Sequence, residues 1–195
     1  MSLVLRPKQI LLAVLVIFLI IAKVLPIYHV QLDGPKTYLD VDRALALIAL
    51  VTAYLWGKTI VEVTRTVLLF IISGVAAAGV ACLIPSLENQ CLRILIMFFM
   101  TALVEEILFR GVVAELMLRR FGVIVAGGLS SLFFALVHPG SYVFPVYGFL
   151  VFLTGILCFV FYYSFKREYG YIYGILAASV AHIAVIMLGI WIGIL

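Results

Sequence analysis

Apolar residues run in blocks about as long as a bilayer is thick, and this spacing constrains the chain more than any other feature. The blocks cover residues 10–27, 44–56 (reaching toward 60), 67–84, 94–118, 123–138, 146–165 and 171–195. A helix rises ~1.5 Å per residue, so ~20 residues cross the ~30 Å hydrocarbon layer. Lipid offers no partner to backbone N–H and C=O groups, so runs of this length must satisfy them internally, as helices do. The sequence therefore predicts an all-α, polytopic transmembrane bundle of about seven spans. Of its 195 residues 67% are hydrophobic and 11% charged, a balance a soluble core cannot accommodate. No Ser- or Pro-rich linker, charge run or internal repeat divides the chain, so residues 1–195 read as one integral membrane domain. The first block follows Arg6 and Lys8, as a signal peptide would, but it is long enough to span and no small-residue cleavage site follows it. It reads as a retained helix, with Lys23 snorkelling to the nearer interface.

Turn residues and charges gather in the connections, among them "QLDGPKTYLDVDR", "PSLENQCLR", "HPGSYVFP" and "KREYG". With the N-terminus inside, the inner connections hold Arg6, Lys8, Lys58, Arg65, Arg119, Arg120, Lys166 and Arg167, and the outer ones Lys36, Arg43 and Arg93. This excess favours a cytoplasmic N-terminus and a prokaryote-like multi-pass topology. Trp56, Tyr162, Tyr163, Tyr169 and Tyr171 fall near inner interfaces and Trp191 near an outer one, as an aromatic belt requires. No basic patch is large enough to follow a phosphate backbone, so nucleic acid is not an expected partner. Cys82, Cys91 and Cys158 lack C-x-x-C spacing, which argues against a zinc–thiolate site. Cys82 and Cys91 can lie near one another at a membrane face, although nothing in the sequence calls for a disulfide.

The stretch "MTALVEEILFRG" (100–111) breaks the pattern, with Glu105, Glu106 and Arg110 inside an apolar run. An ionisable group at mid-bilayer costs ~2.5–3.5 kcal/mol or more, so it persists when paired, hydrated or useful. Glu106 and Arg110 stand at i,i+4 and can form an ion pair. Glu105 lies ~100° around the helix and is free to face a cavity. His138 ends the fifth block and His182 lies inside the seventh, so a carboxylate and two imidazoles on three helices can converge on one hydrated pocket. Plainer readings stand beside this one. Glu106–Arg110 can be a packing clamp, a membrane histidine can simply bond a neighbouring helix, and Phe133 and Phe134 can be core or lipid-facing. Glu115 suits an i,i+4 partnership with Arg119, and His29 suits a solvated loop.

Glu-Glu-x-x-x-Arg (Glu105, Glu106, Arg110), then Phe-x-x-x-His (Phe134, His138), then His182 on a later helix resembles the CAAX protease and bacteriocin-processing (CPBP or Abi) family of glutamate-type intramembrane endopeptidases. The resemblance covers roughly residues 94–195, where the catalytic core is expected, and one possible branch is the myxosortase-like one. It implies that Glu105 activates water with His138, that Glu106, Arg110 and Phe134 support them, and that His182 stabilises the oxyanion. The family's third motif has Asn or a similar polar residue four positions after its histidine, where this chain has Ile186. Ser179 and Ser130 are then candidate hydroxyl donors, and Ile186→Asn is an expected tolerated change.

The chemistry is reasonable on general grounds, since peptide hydrolysis needs a base for water and donors for a tetrahedral oxyanion. The expected activity is cleavage of a membrane-anchored protein or peptide within the lipid bilayer, with no cofactor. The alternative is zinc held by Glu105, His138 and His182, although there is no H-E-x-x-H motif. Two further functional classes stay open. One is a non-catalytic bacteriocin-immunity or regulatory membrane protein of the same fold. The other is a proton-coupled transporter, for which no discontinuous-helix repeat is visible.

Overall fold

The computed structural model describes residues 29–31, 38–40, 60–85, 87–138 and 140–193. The expected spans at 10–27 and 44–56 lie outside the described residues. The chain divides into two compact units, Met1–Val63 and Thr64–Leu195. In the first, β1 (His29–Gln31) pairs antiparallel with β2 (Tyr38–Asp40) in the register His29↔Asp40, Val30↔Leu39, Gln31↔Tyr38. The sequence reading has only a loop here. The β-prone Val30, Tyr38 and Leu39 flank the turn-forming Asp33-Gly34-Pro35, which is the signal for a short ladder.

Everything else described is helical, a membrane bundle as the hydropathy requires. Helix α1 (Ile60–Leu83) contains Arg65–Leu83, 19 residues apolar enough to cross a bilayer. A tight turn follows, with Leu87 N–H donating to the Ile84 carbonyl at 2.8 Å, then a 3-10 turn at Glu88–Gln90. Across this turn Cys82 and Cys91 form a disulfide with their Cα atoms 5.3 Å apart, a pairing the sequence did not demand. The rod α2 (91–118) is α-helical at Cys91–Met97, Val104–Glu106 and Glu115–Leu118 and π-helical at Phe98–Leu103 and Ile107–Ala114. Wide π turns are found mostly at functional sites, because they re-aim side chains without breaking the helix.

Helix α3 (Val123–Leu136) is short, and α4 (Gly140–Val143) is a single turn. Helix α5 (Pro145–Tyr169) starts on Pro145, where the missing N–H would have no intrahelical partner anyway. Gly170, at φ 99°, lets the chain reverse at once into α6 (Tyr171–Trp191), because a side chain would be strained there. Among the described residues three helices are long and apolar enough to span, and α6 is the innermost of them. Half of its apolar window is buried (50%), against 22% for α1 and 28% for α5. Large apolar side chains such as Leu83, Ile124 and Val146 point outward, which costs nothing in lipid.

Ile186 packs in an apolar cluster with Phe98, Ala102, Ile94, Ile183 and Met187. The sequence reading has a ready polar face at this position, and the structure places Ile186 against apolar side chains of α2 and α6 instead. Tyr162, expected at an interface, is completely buried, because α5 turns it against α2.

Candidate active site

The two adjacent glutamates of α2 point to different partners. Glu106 is sealed from solvent and its oxygens serve two cations or donors. Oε2 lies 3.0 Å from Arg110 Nε, an ion pair set off the ideal hydrogen-bond line, and Oε1 lies 3.0 Å from His182 Nδ1. Arg110 also donates from Nη2 to the Gly155 carbonyl of α5 at 3.0 Å. Gly155 matters here because any Cβ would fall 2.9 Å from Ser131 Cβ, so only glycine lets α3 and α5 approach this closely. The guanidinium sits 5.0 Å over the Phe134 ring, a further electrostatic contact.

Glu105 faces α3. Its Oε2 lies 3.6 Å from His138 Nε2, longer than a direct hydrogen bond and suited to a shared water. The other ring nitrogen of His138, Nδ1, lies 2.7 Å from the Phe134 carbonyl, which can only accept. The proton is therefore assigned to Nδ1, leaving Nε2 of the neutral ring as an acceptor toward Glu105. Phe134 itself is buried and touches everything: its ring lies 4.8 Å from that of His138 and 5.4 Å from that of His182. The spacing Phe-x-x-x-His thus has a physical content, since one residue supplies a ring to hold both imidazoles and a carbonyl to orient one.

All six sequence candidates, Glu105, Glu106, Arg110, Phe134, His138 and His182, come together in this one cluster. His182 pairs through Nδ1 with Glu106, a contact that the sequence reading did not name. With Nδ1 committed as donor, Nε2 is the nitrogen left to meet a substrate. Ser130 and Ser179 donate to helix carbonyls at Gly127 (3.2 Å) and Ile175 (2.9 Å), so their hydroxyl protons are already used. Glu115 does not pair with Arg119. Tyr162 donates to it at 2.6 Å and Lys166 of α5 joins the same oxygen, a tertiary contact that outcompetes the local one at a fraying helix end.

The sequence reading missed Cys158 and Gly155. The Cys158 sulfur gathers with ligand atoms of Glu106 and His182 within 4.8 Å of one another, all buried. No spacing rule could reveal this, because the three lie on three helices. The donors that gather among the described residues are not Glu105, His138 and His182, the set of the alternative zinc reading. The set that does gather fits a cation badly, since Glu106 is engaged by Arg110 and His182, and a buried guanidinium stands beside it. As it stands, the donor set does not suit a divalent ion.

A family model described as type II CAAX prenyl endopeptidase Rce1-like matches residues 87–188. The chain belongs to the Rce1-like family. The match contains every residue of the cluster and gives protease character at the family level, without singling out a myxosortase-like branch. No curated protein and no solved structure matches the chain. Membership and the apolar helices together make it an integral membrane protein of a protease family, with a protein substrate and the bilayer as its partners.

Proposed function

We infer that the chain is an intramembrane endopeptidase that cleaves a membrane-anchored protein or peptide. The observation that carries this reading is the 3.6 Å approach of Glu105 to the acceptor nitrogen of His138, inside the Rce1-like match. A water between two acceptors donates one proton to each and turns its lone pair outward. As its oxygen bonds to the scissile carbonyl carbon, one proton passes to Glu105. The carbonyl oxygen becomes an oxyanion, which accepts from Nε2–H of a doubly protonated His182 whose Nδ1–H donates to Glu106. The tetrahedral intermediate then collapses, the C–N bond breaks, and the proton held by Glu105 passes to the leaving nitrogen. Glu106, Arg110 and Phe134 hold the imidazoles in register and take no part in bond making. The distribution of Arg and Lys supports a cytoplasmic N-terminus.

Comparison of protein termini in membranes bearing the wild type or Glu105→Gln tests the reading. New termini with the wild type alone are expected. Identical termini in the two membranes would favour a non-catalytic immunity or regulatory protein. Proton flux abolished by the same variant, without any new terminus, would favour a proton-coupled transporter.

A further inference from the structure

Successive helices of the second unit alternate in direction if each crosses the membrane, so their ends sort onto two sides. One side holds Arg65 at the start of α1, Arg119 and Arg120 after α2, and Lys166 and Arg167 at the end of α5. The other holds Arg93 alone among the described arginines and lysines, and it carries the Cys82–Cys91 disulfide. Two independent rules give the same orientation. Positive charge gathers on the cytoplasmic side, and structural disulfides persist in oxidising compartments.

The cluster is graded along this axis. Glu105 stands 14 residues from both Cys91 and Arg119, near the middle of α2, and His138 follows the end of α3, on the disulfide side. Pro145, at the start of α5, lies ~31 Å from Lys166, so the chain climbs past His138 to the disulfide side through α4. Exposure follows the same direction: the His138 side chain is 15% exposed, Glu105 6%, and Glu106 and Arg110 0%. Below Arg110, Tyr162 and Lys166 meet Glu115, and Tyr171 packs on Gly111.

Building on the peptidase reading, we propose that the Glu105–His138 pair is reached from the extracytoplasmic, disulfide-bearing side. The substrate is then a membrane-anchored polypeptide whose scissile bond enters from outside the cytoplasm. A chain modified and held at the cytoplasmic surface is not reached.

Thiol accessibility tests this in intact cells without any substrate. Val143→Cys and Arg120→Cys both alter exposed positions, one in α4 between His138 and α5 and one after α2 at the opposite end. A membrane-impermeant maleimide should label V143C in intact cells and R120C only after permeabilisation. Native Cys82 and Cys91 should resist the reagent until an impermeant reductant is added outside. Labelling of R120C but not V143C in intact cells, or free thiols at both native positions, overturns the proposal. The Glu105→Gln background should label identically. Outside labelling with no cleavage of any protein would sink the peptidase reading and leave the orientation standing.

Discussion

Glu105 and Glu106 are neighbours in sequence and near-equals in burial, yet their surroundings differ in kind. Glu106 sits between a guanidinium and an imidazole, with both oxygens occupied. Glu105 meets one imidazole at the rim, across a gap that a water can bridge. A carboxylate that already holds Arg110 cannot take a proton from water without stranding a buried cation. Glu105 is set against the His138 imidazole instead. On the proposed mechanism, a one-residue step around the helix separates a scaffold acid from a reactive one.

The sharpest way to break this comparison is to exchange each acid alone. Glu105→Gln should lower cleavage ~10²–10⁴-fold, the span of a general base, while the thermal unfolding of detergent-solubilised protein stays unchanged. Glu106→Ala should instead cost ~3–5 kcal/mol of stability, because Arg110 loses its anion in a dry site. Unfolding midpoints that fall equally for both variants would refute the division of labour. His182→Ala tests the bridge between the two halves. An oxyanion donor is worth ~10²–10³ in rate, so cleavage should fall by that factor, and by more than for Ser179→Ala, whose hydroxyl serves its own helix. A His182→Ala enzyme cleaving at the wild-type rate would make His182 part of the scaffold alone.

The Glu105–His138 half of the cluster was legible in the sequence, and the surroundings of Glu106 and Arg110 only partly. Charges in an apolar run stand out because lipid penalises them, and i,i+4 spacing names Arg110 as the partner of Glu106. The apolar blocks at 67–84, 146–165 and 171–195 were legible for the same reason. Contacts between helices were not. Cys158 reads as one more apolar residue until α5 brings it to Glu106, and Gly155 gives no hint that its carbonyl serves Arg110. Ile186 misleads in the opposite way, because helical spacing from His182 suggests a polar face where the bundle has an apolar one.

That correction carries its own measurement. Ile186→Asn introduces an amide among Phe98, Ala102 and Met187, none of which offers a partner. Leaving it unsatisfied should cost ~1–3 kcal/mol, read as a lower unfolding midpoint. An unchanged midpoint with faster cleavage would mean that position 186 turns toward the site after all, as the family pattern has it.

The smallest effect belongs to the inner end. Glu115 and Lys166 are partly exposed, 21% and 29%, so their pair contributes little beyond what solvent would. Glu115→Gln keeps an acceptor for Tyr162 and removes only the charge, at an expected cost of no more than ~1 kcal/mol. Cleavage should not change, because the proposed mechanism passes no proton through the inner end. The measurement is a rate comparison beside Glu105→Gln in the same membranes. A loss approaching that of Glu105→Gln would mean that protons travel from Glu105 inward through Arg110 to Glu115. The polar column would then be a conduit crossing the bundle, and the contrast between a reactive acid and a structural one would fail.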